Sequence, residues 1–267
     1  MDLAGVRARY ERSLVREIAD ELVRIEIVDR ALALASKLFV AVIPLSIILS
    51  ATVPGSDSFG ENLVSRFGLN GPGAAATRSL FATRGTVRGA VSIIGLVILF
   101  YSLFSFTRGL QRVYTDIWRL VPQKFEAVVR RATWIVGFVF YSSVLTPIQD
   151  YDKNHHVPYL YAGAALALGS LFWIWTPYIL LGRRIPWKRL LPTGVITAVG
   201  IALYTIGSSL YLPTIFSHNA ERYGTIGIAF GLVTWLFAYA GVAIACAVVA
   251  HSWDIHHNKE LYPEPGE

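Results

Sequence analysis

The chain alternates long apolar runs with short polar, mostly basic segments. The apolar runs cover about residues 31–53, 89–107, 132–149, 157–182, 190–216 and 223–250, and apart from Lys37 none contains Asp, Glu, Lys or Arg. Each is near the roughly 20 helical residues needed to cross a hydrocarbon core of roughly 30 Å. The pattern predicts an all-α polytopic membrane bundle of six transmembrane helices. Lys37 is near enough to the start of its run to reach the headgroups, and Pro44, at the centre, is expected to kink that helix. Residues 1–30 differ from the rest. Leu14, Ile18, Leu22 and Ile25 recur at spacings of four, four and three among Arg12, Arg16, Glu17, Glu21 and Arg24, the pattern of an amphipathic helix lying along the cytoplasmic interface. The connection over residues 54–88 holds Phe59, Leu63, Val64, Phe67, Leu80 and Phe81 and predicts one or two short interfacial helices. The organisation expected is therefore an amphipathic helix over 1–30, a membrane domain over 31–250 and a cytoplasmic tail over 251–267.

Composition agrees: 54% of the 267 residues are hydrophobic and only 16% are charged. The net charge of +6 does not point to nucleic acid, because the basic residues sit beside apolar runs, where they meet anionic headgroups and set orientation. Counting alternate flanks places seventeen Lys and Arg on the side of the N-terminus and six on the other, which predicts both termini in the cytoplasm. The first 30 residues lack the continuous apolar stretch of a cleavable signal peptide, so the N-terminus is expected to be retained. Cys246, the only cysteine, excludes an internal disulfide and a cysteine-based metal site.

Several segments then combine. They are the Pro-containing first run Phe39-Val40-Ala41-Val42-Ile43-Pro44-Leu45, the segment Phe106-Thr107-Arg108-Gly109-Leu110-Gln111-Arg112-Val113-Tyr114, the turn Pro186-Trp187-Lys188-Arg189-Leu190-Leu191-Pro192-Thr193-Gly194, and Arg222-Tyr223-Gly224-Thr225-Ile226-Gly227. In order and spacing, over nearly the whole chain, they resemble the YihY/BrkB family of inner-membrane proteins. The resemblance implies six spans and a cell-membrane location. It also implies a link to movement of envelope lipid or lipopolysaccharide and to virulence; an old ribonuclease BN label for that family looks like a misassignment. The family often ends its sixth helix in Gly-Ala-Glu, whereas this chain has Ala245-Cys246-Ala247-Val248-Val249-Ala250, so no role of that glutamate carries over.

Candidate chemistry is sparse. Asp150, Asp152, His155 and His156 in one connection, and His251, Asp254, His256 and His257 after the last run, read best as a polar loop and a solvated tail, so no metal and no catalytic residue is expected. With no acid in any run, classical ion coupling loses its usual carrier. Uncharged polar groups do align. Thr197, Tyr204, Ser208 and Tyr211 fall near one helical face, with Ser102 and Ser105 on the second run, as a candidate polar cavity or as interhelical hydrogen bonding. Arg222, Tyr223 and Gly224, before a glycine-rich helix start, are candidate headgroup or anion contacts, as are Arg108 and Arg112. Ala198 with Ala202 and Gly227 with Gly231 are small-residue pairs that permit close helix approach.

These features suggest a non-enzymatic membrane protein, without cofactor, that transports or assists transport of lipid-like or cell-envelope amphiphiles. Its expected partners are membrane lipids and a possible second copy of the chain, not nucleic acid. The alternatives are a non-transporting scaffold or assembly protein and a small-solute exporter.

Overall fold

The computed structural model describes residues 15–52, 60, 61, 64, 68–80, 90–121, 127–155 and 158–257. Leu14, the apolar Phe59, Leu63, Phe67 and Phe81, Lys124 and the last ten residues lie outside them, as do the side chains of the 150–156 cluster. Every regular element described is helical: α1 (15–24), α2 (Ile27–Thr52), α3 (Gly71–Leu80), α4 (Ala90–Ile117), α5 (Ala127–His155), α6 (Pro158–Leu180), a 3-10 turn (Trp187–Leu190) and a final element, Leu191–His257, divided at Gly224 into α7 (191–223) and α8 (225–257).

By length and composition, Ala127–Leu145, Ala162–Leu180 and Trp187–His257 can cross a membrane. Only 6% of the Ala127–Leu145 window is buried within the protein, and Val136, Val139 and Phe140 are 57–70% exposed. A helix this apolar and this uncovered needs lipid on its outer face.

The helices outrun the apolar segments that nucleate them. α4 carries the charge-free residues 90–107 and continues through Arg108 and Arg112 to Ile117, and α5 begins at Ala127, before Arg130 and Arg131. The first break falls at Ile25-Glu26 rather than after residue 30. The interval 217–222, expected as a connection, is helical, and the whole change of direction is taken by Gly224 at φ 59°, ψ −137°, a conformation open in practice only to glycine.

The chain forms two compact units. The first comprises Met1–Arg30, Thr107–Ala202 and Gly241–Glu267, and the second Ala31–Phe106 and Leu203–Ala240. In the second, the Gly224 hairpin packs tightly: a Cβ at Gly227 would stand 2.2 Å from the Asn219 carbonyl oxygen, and one at Gly231 would stand 2.6 Å from the Phe216 ring. Phe216, Leu212, Ile228 and Leu232 form its core with Ala35, Val64, Leu69 and Ala74. α3 joins that core through Gly73, which lies against Ser217, so the one short helix described in the 54–88 connection is packed on protein.

In the first unit, ion pairs hold α1 and the start of α2 to the end of α4. Arg24 Nε donates to Glu21 Oε2 at 2.8 Å, and Arg24 Nη2 to the Asp116 carbonyl at 2.9 Å. Arg30 meets the Asp116 carboxylate at 2.7 Å, and Arg119 reaches Glu21 at 3.4 Å. Glu21, read as part of the polar face, is only 9% exposed. His251 and Asp254, read as a solvated tail, are 6% and 5% exposed, because α8 continues past its apolar run and packs His251 on the Trp118 ring at 5.0 Å.

Two predictions follow from these contacts. Gly224→Ala meets open space but a strained backbone and is expected to lose about 1–3 kcal/mol, whereas Gly207→Ala, in open space within α7, is expected to be neutral or stabilising; thermal unfolding in detergent compares them. The hydrogen bond from Arg24, aided by Arg119, holds the Glu21 carboxyl below its ordinary value of 4.5. A lowered folded value means the stabilisation is present above pH 4.5 and is lost as pH falls through that lower value. Glu21→Gln is therefore expected to cost about 1–2 kcal/mol at neutral pH, a difference that shrinks below pH 4.5 in a stability-against-pH series.

Candidate functional site

The first unit contains a groove of about 510 Å³ between α5 and α6, within the range of roughly 300–1,000 Å³ typical of small-molecule sites. Its walls follow helical spacing: Gly137, Phe140, Tyr141 and Val144 from α5, and Leu168, Leu171, Phe172, Trp175 and Tyr178 from α6. Gly137 makes room, since a Cβ there would lie 2.1 Å from the outer edge of the Trp175 indole. Phe172 is the hub of the aromatic wall, stacked on Tyr141 at 4.6 Å and within 6.0 Å of Trp134 and Phe138. Trp134 Nε1 donates to Thr176 Oγ1 at 3.0 Å, which in turn donates to the Phe172 carbonyl at 2.8 Å, so the polar atoms behind the wall are satisfied. Phe140 and Leu171 on the rim are 70% and 62% exposed, so the groove is open along its rim.

One end of the groove is cationic. Tyr178 and Trp187 line it, and the Arg183 guanidinium lies 5.9 Å from the centre of the Tyr178 ring. Lys188 and Arg189 follow Trp187 in the 3-10 turn. α6 ends with Arg183 N donating to the Tyr178 carbonyl and Gly182 N to the Ile179 carbonyl. Gly182 and Arg183 are both left-handed there, and a Cβ on Gly182 would collide with Arg130.

Beside this end lies a buried glutamine. Gln111 Nε2 donates to the Leu180 carbonyl at 2.9 Å, and its Oε1 accepts from Arg131 Nε at 2.9 Å, tying α4, α5 and α6 together. Arg108 and Arg112 flank it, exposed, on α4.

The other candidate residues separate. Thr197, in the first unit, is fully buried and its hydroxyl has no partner, like that of Thr193 one turn before it. Ser102, Ser105, Tyr204, Ser208 and Tyr211 belong to the second unit. There Tyr204 donates to the Trp235 carbonyl at 2.7 Å, joining two helices, and Ser208 donates within its own helix to the Thr205 carbonyl at 3.0 Å. Ser102 is buried, Ser105 half-buried and Tyr211 exposed. Arg222 and Tyr223 are exposed on the last turn of α7, with Gly224 as the break itself rather than part of a loop. None of these residues lines the groove. Among the described residues no group of three or more His, Cys, Asp or Glu is placed to hold a metal.

Sequence reasoning missed the groove, Gln111 and Arg131. Gly137 facing Trp175 across adjacent helices is visible only in three dimensions. The sequence did offer Arg130-Arg131 opening a helix, where positive charge opposes the helix dipole.

No curated protein and no solved structure matches this chain. The family profile described as Virulence factor BrkB matches residues 18–266, from the middle of α1 past the end of α8, and so takes in the groove, the buried glutamine and the Gly224 hairpin. This agrees with the motifs from which the YihY/BrkB resemblance was drawn, and with helices apolar enough to need lipid: the chain is a membrane protein and belongs to the BrkB family.

Proposed function

We propose that this protein moves, or helps to move, lipid-like or cell-envelope amphiphiles across or along the membrane, without chemical conversion and without a cofactor. The observation that carries the reading is the open-rimmed aromatic groove between α5 and α6, apolar along its length and cationic at one end. An acyl chain loses little on leaving bilayer hydrocarbon for such a wall, while Arg183 and Lys188 provide charge for an anionic head. The topology that goes with this function is a multi-pass chain with six spans in the cell membrane and both termini in the cytoplasm. That arrangement puts the arginine-rich ends of α4, α5 and α6 against the anionic inner leaflet.

The scaffold reading drew on small-residue faces. Of those faces, the Gly227–Gly231 pair is filled within the chain, Gly227 by Asn219 and Gly231 by Phe216.

The test is transbilayer movement of fluorescently labelled phospholipids in liposomes containing the purified protein. Wild type is expected to accelerate it, and Leu171→Trp, which fills the groove from its exposed rim, to slow it about tenfold, with Gly137→Leu acting likewise by displacing Trp175. Wild-type liposomes no faster than protein-free ones, across zwitterionic and anionic lipids, would sink the proposal and favour the scaffold.

A further inference from the structure

Two groups of arginines in the first unit contrast. Arg24, Arg30 and Arg119 all contact the carboxylates of Glu21 or Asp116. Arg108, Arg112 and Arg131 form no ion pair among the described residues, and the 2.9 Å hydrogen bond from Arg131 Nε to Gln111 brings Arg131 to the stretch of α4 that Arg108 and Arg112 flank. Three like charges gathered without a counter-ion are unfavourable unless something anionic joins them.

The gathering is built rather than incidental. Gln111 is 8% exposed, and both ends of its amide are committed, one to the Leu180 carbonyl and the other to Arg131 Nε. That bond fixes the guanidinium plane and leaves the Nη groups of Arg131 to donate elsewhere. Arg108 and Arg112 flank Gln111 and are one turn apart, so they project near one another. Arg131 also stands near the start of α5, whose first turn has no acid, so the dipole adds to the positive field that the arginines create.

We infer that Arg108, Arg112 and Arg131 form a binding site for a phosphate group, with Gln111 as the residue that positions Arg131. Planar guanidiniums bind phosphate oxygens in pairs, and three of them match the charge and the several acceptors of a phosphate ester. The phosphate comes either from a lipid headgroup or from free solution. The site stands whether or not lipid crosses the bilayer, and its test involves no transport.

The experiment measures binding to the full-length protein, delipidated in neutral detergent, through thermal stabilisation at fixed ionic strength. The probes are inorganic phosphate, phosphatidylglycerol in mixed micelles, and phosphatidylcholine at the same mole fraction. Wild type is expected to bind phosphatidylglycerol more tightly than phosphatidylcholine. Arg131→Gln and the pair Arg108→Gln/Arg112→Gln are each expected to weaken that binding about tenfold or more. Gln111→Leu, which keeps every charge, is expected to weaken it less, and Arg16→Gln, an exposed arginine on α1, not at all. Equal sensitivity of inorganic phosphate to these variants assigns the site to free phosphate; sensitivity of phosphatidylglycerol alone assigns it to a headgroup. Unchanged binding in the Arg108/Arg112/Arg131 triple variant overturns the inference, as does an equal loss in Arg16→Gln, which would mean attraction by net charge alone.

Discussion

Without water to turn to, a backbone amide, carbonyl or charged side chain must find its partner within the protein, and this constraint shapes nearly every feature of the chain. It explains why the described regular elements are helices and why they continue past their apolar segments. Stopping α4 at Thr107 would free carbonyls where the surroundings are still dry, whereas stopping at Ile117 brings them to a polar end. It also explains how the helices stop. Glu26, Arg119 and Arg183 take left-handed conformations where the chain turns back onto the last carbonyls: Glu26 N donates to Val23, Leu120 N to Thr115 and Arg183 N to Tyr178. Such a conformation costs a non-glycine residue about 1–2 kcal/mol, and two of these three are arginines whose side chains act at the same place, Arg119 on Glu21 and Arg183 on Tyr178.

The same constraint separates what the sequence makes legible from what it does not. Apolar runs announced the helices because run length is a one-dimensional property, and the close approach at Gly227 and Gly231 was legible because glycine has one packing use there. Burial was not legible. Periodicity finds the inner face of a soluble helix because its outer face is polar, but α6 is apolar nearly all round, so nothing in Pro158–Leu180 marks the side that forms a groove. Glu21 and Asp254 were misplaced for the converse reason. A carboxylate is normally a sign of solvent, and only the pairing of Glu21 with Arg24 and Arg119 allows it inside. The expected connection over 217–222 failed because a helical hairpin needs only one residue with the freedom of Gly224.

Arginine shows how little residue type says alone. Flank counting treated the basic residues on one side as equivalent markers of orientation, yet they do three different things. Arg30 closes an ion pair with Asp116, Arg184 caps the Val121 carbonyl, and Arg131 donates to the Gln111 amide oxygen. The distinguishing signal is the partner, which comes from distant parts of the chain: Arg30 and Asp116 are 86 residues apart, Gln111 and Leu180 are 69. Gln111 matters most in this respect. An uncharged residue in a basic segment is easily passed over, but its side chain bonds to both of the neighbouring helices.

These parts divide the work of recognition. The groove walls offer aromatic and aliphatic surface, with no charged side chain among the lining residues. A surface of that kind discriminates among hydrocarbon shapes by about 1–3 kcal/mol per methylene-sized misfit and is nearly blind to what a headgroup carries. On the proposed function, selectivity for a head comes from the end of the groove, where Tyr178, two residues before the Leu180 carbonyl that holds Gln111, brings apolar wall and fixed charge together on one helix. A polar lining built from hydroxyls would have worked in the opposite sense, stalling the head inside the membrane. The hydroxyls of Tyr204 and Ser208 bond instead to the carbonyls of Trp235 and Thr205, and the α5–α6 wall carries no charged side chain along its length.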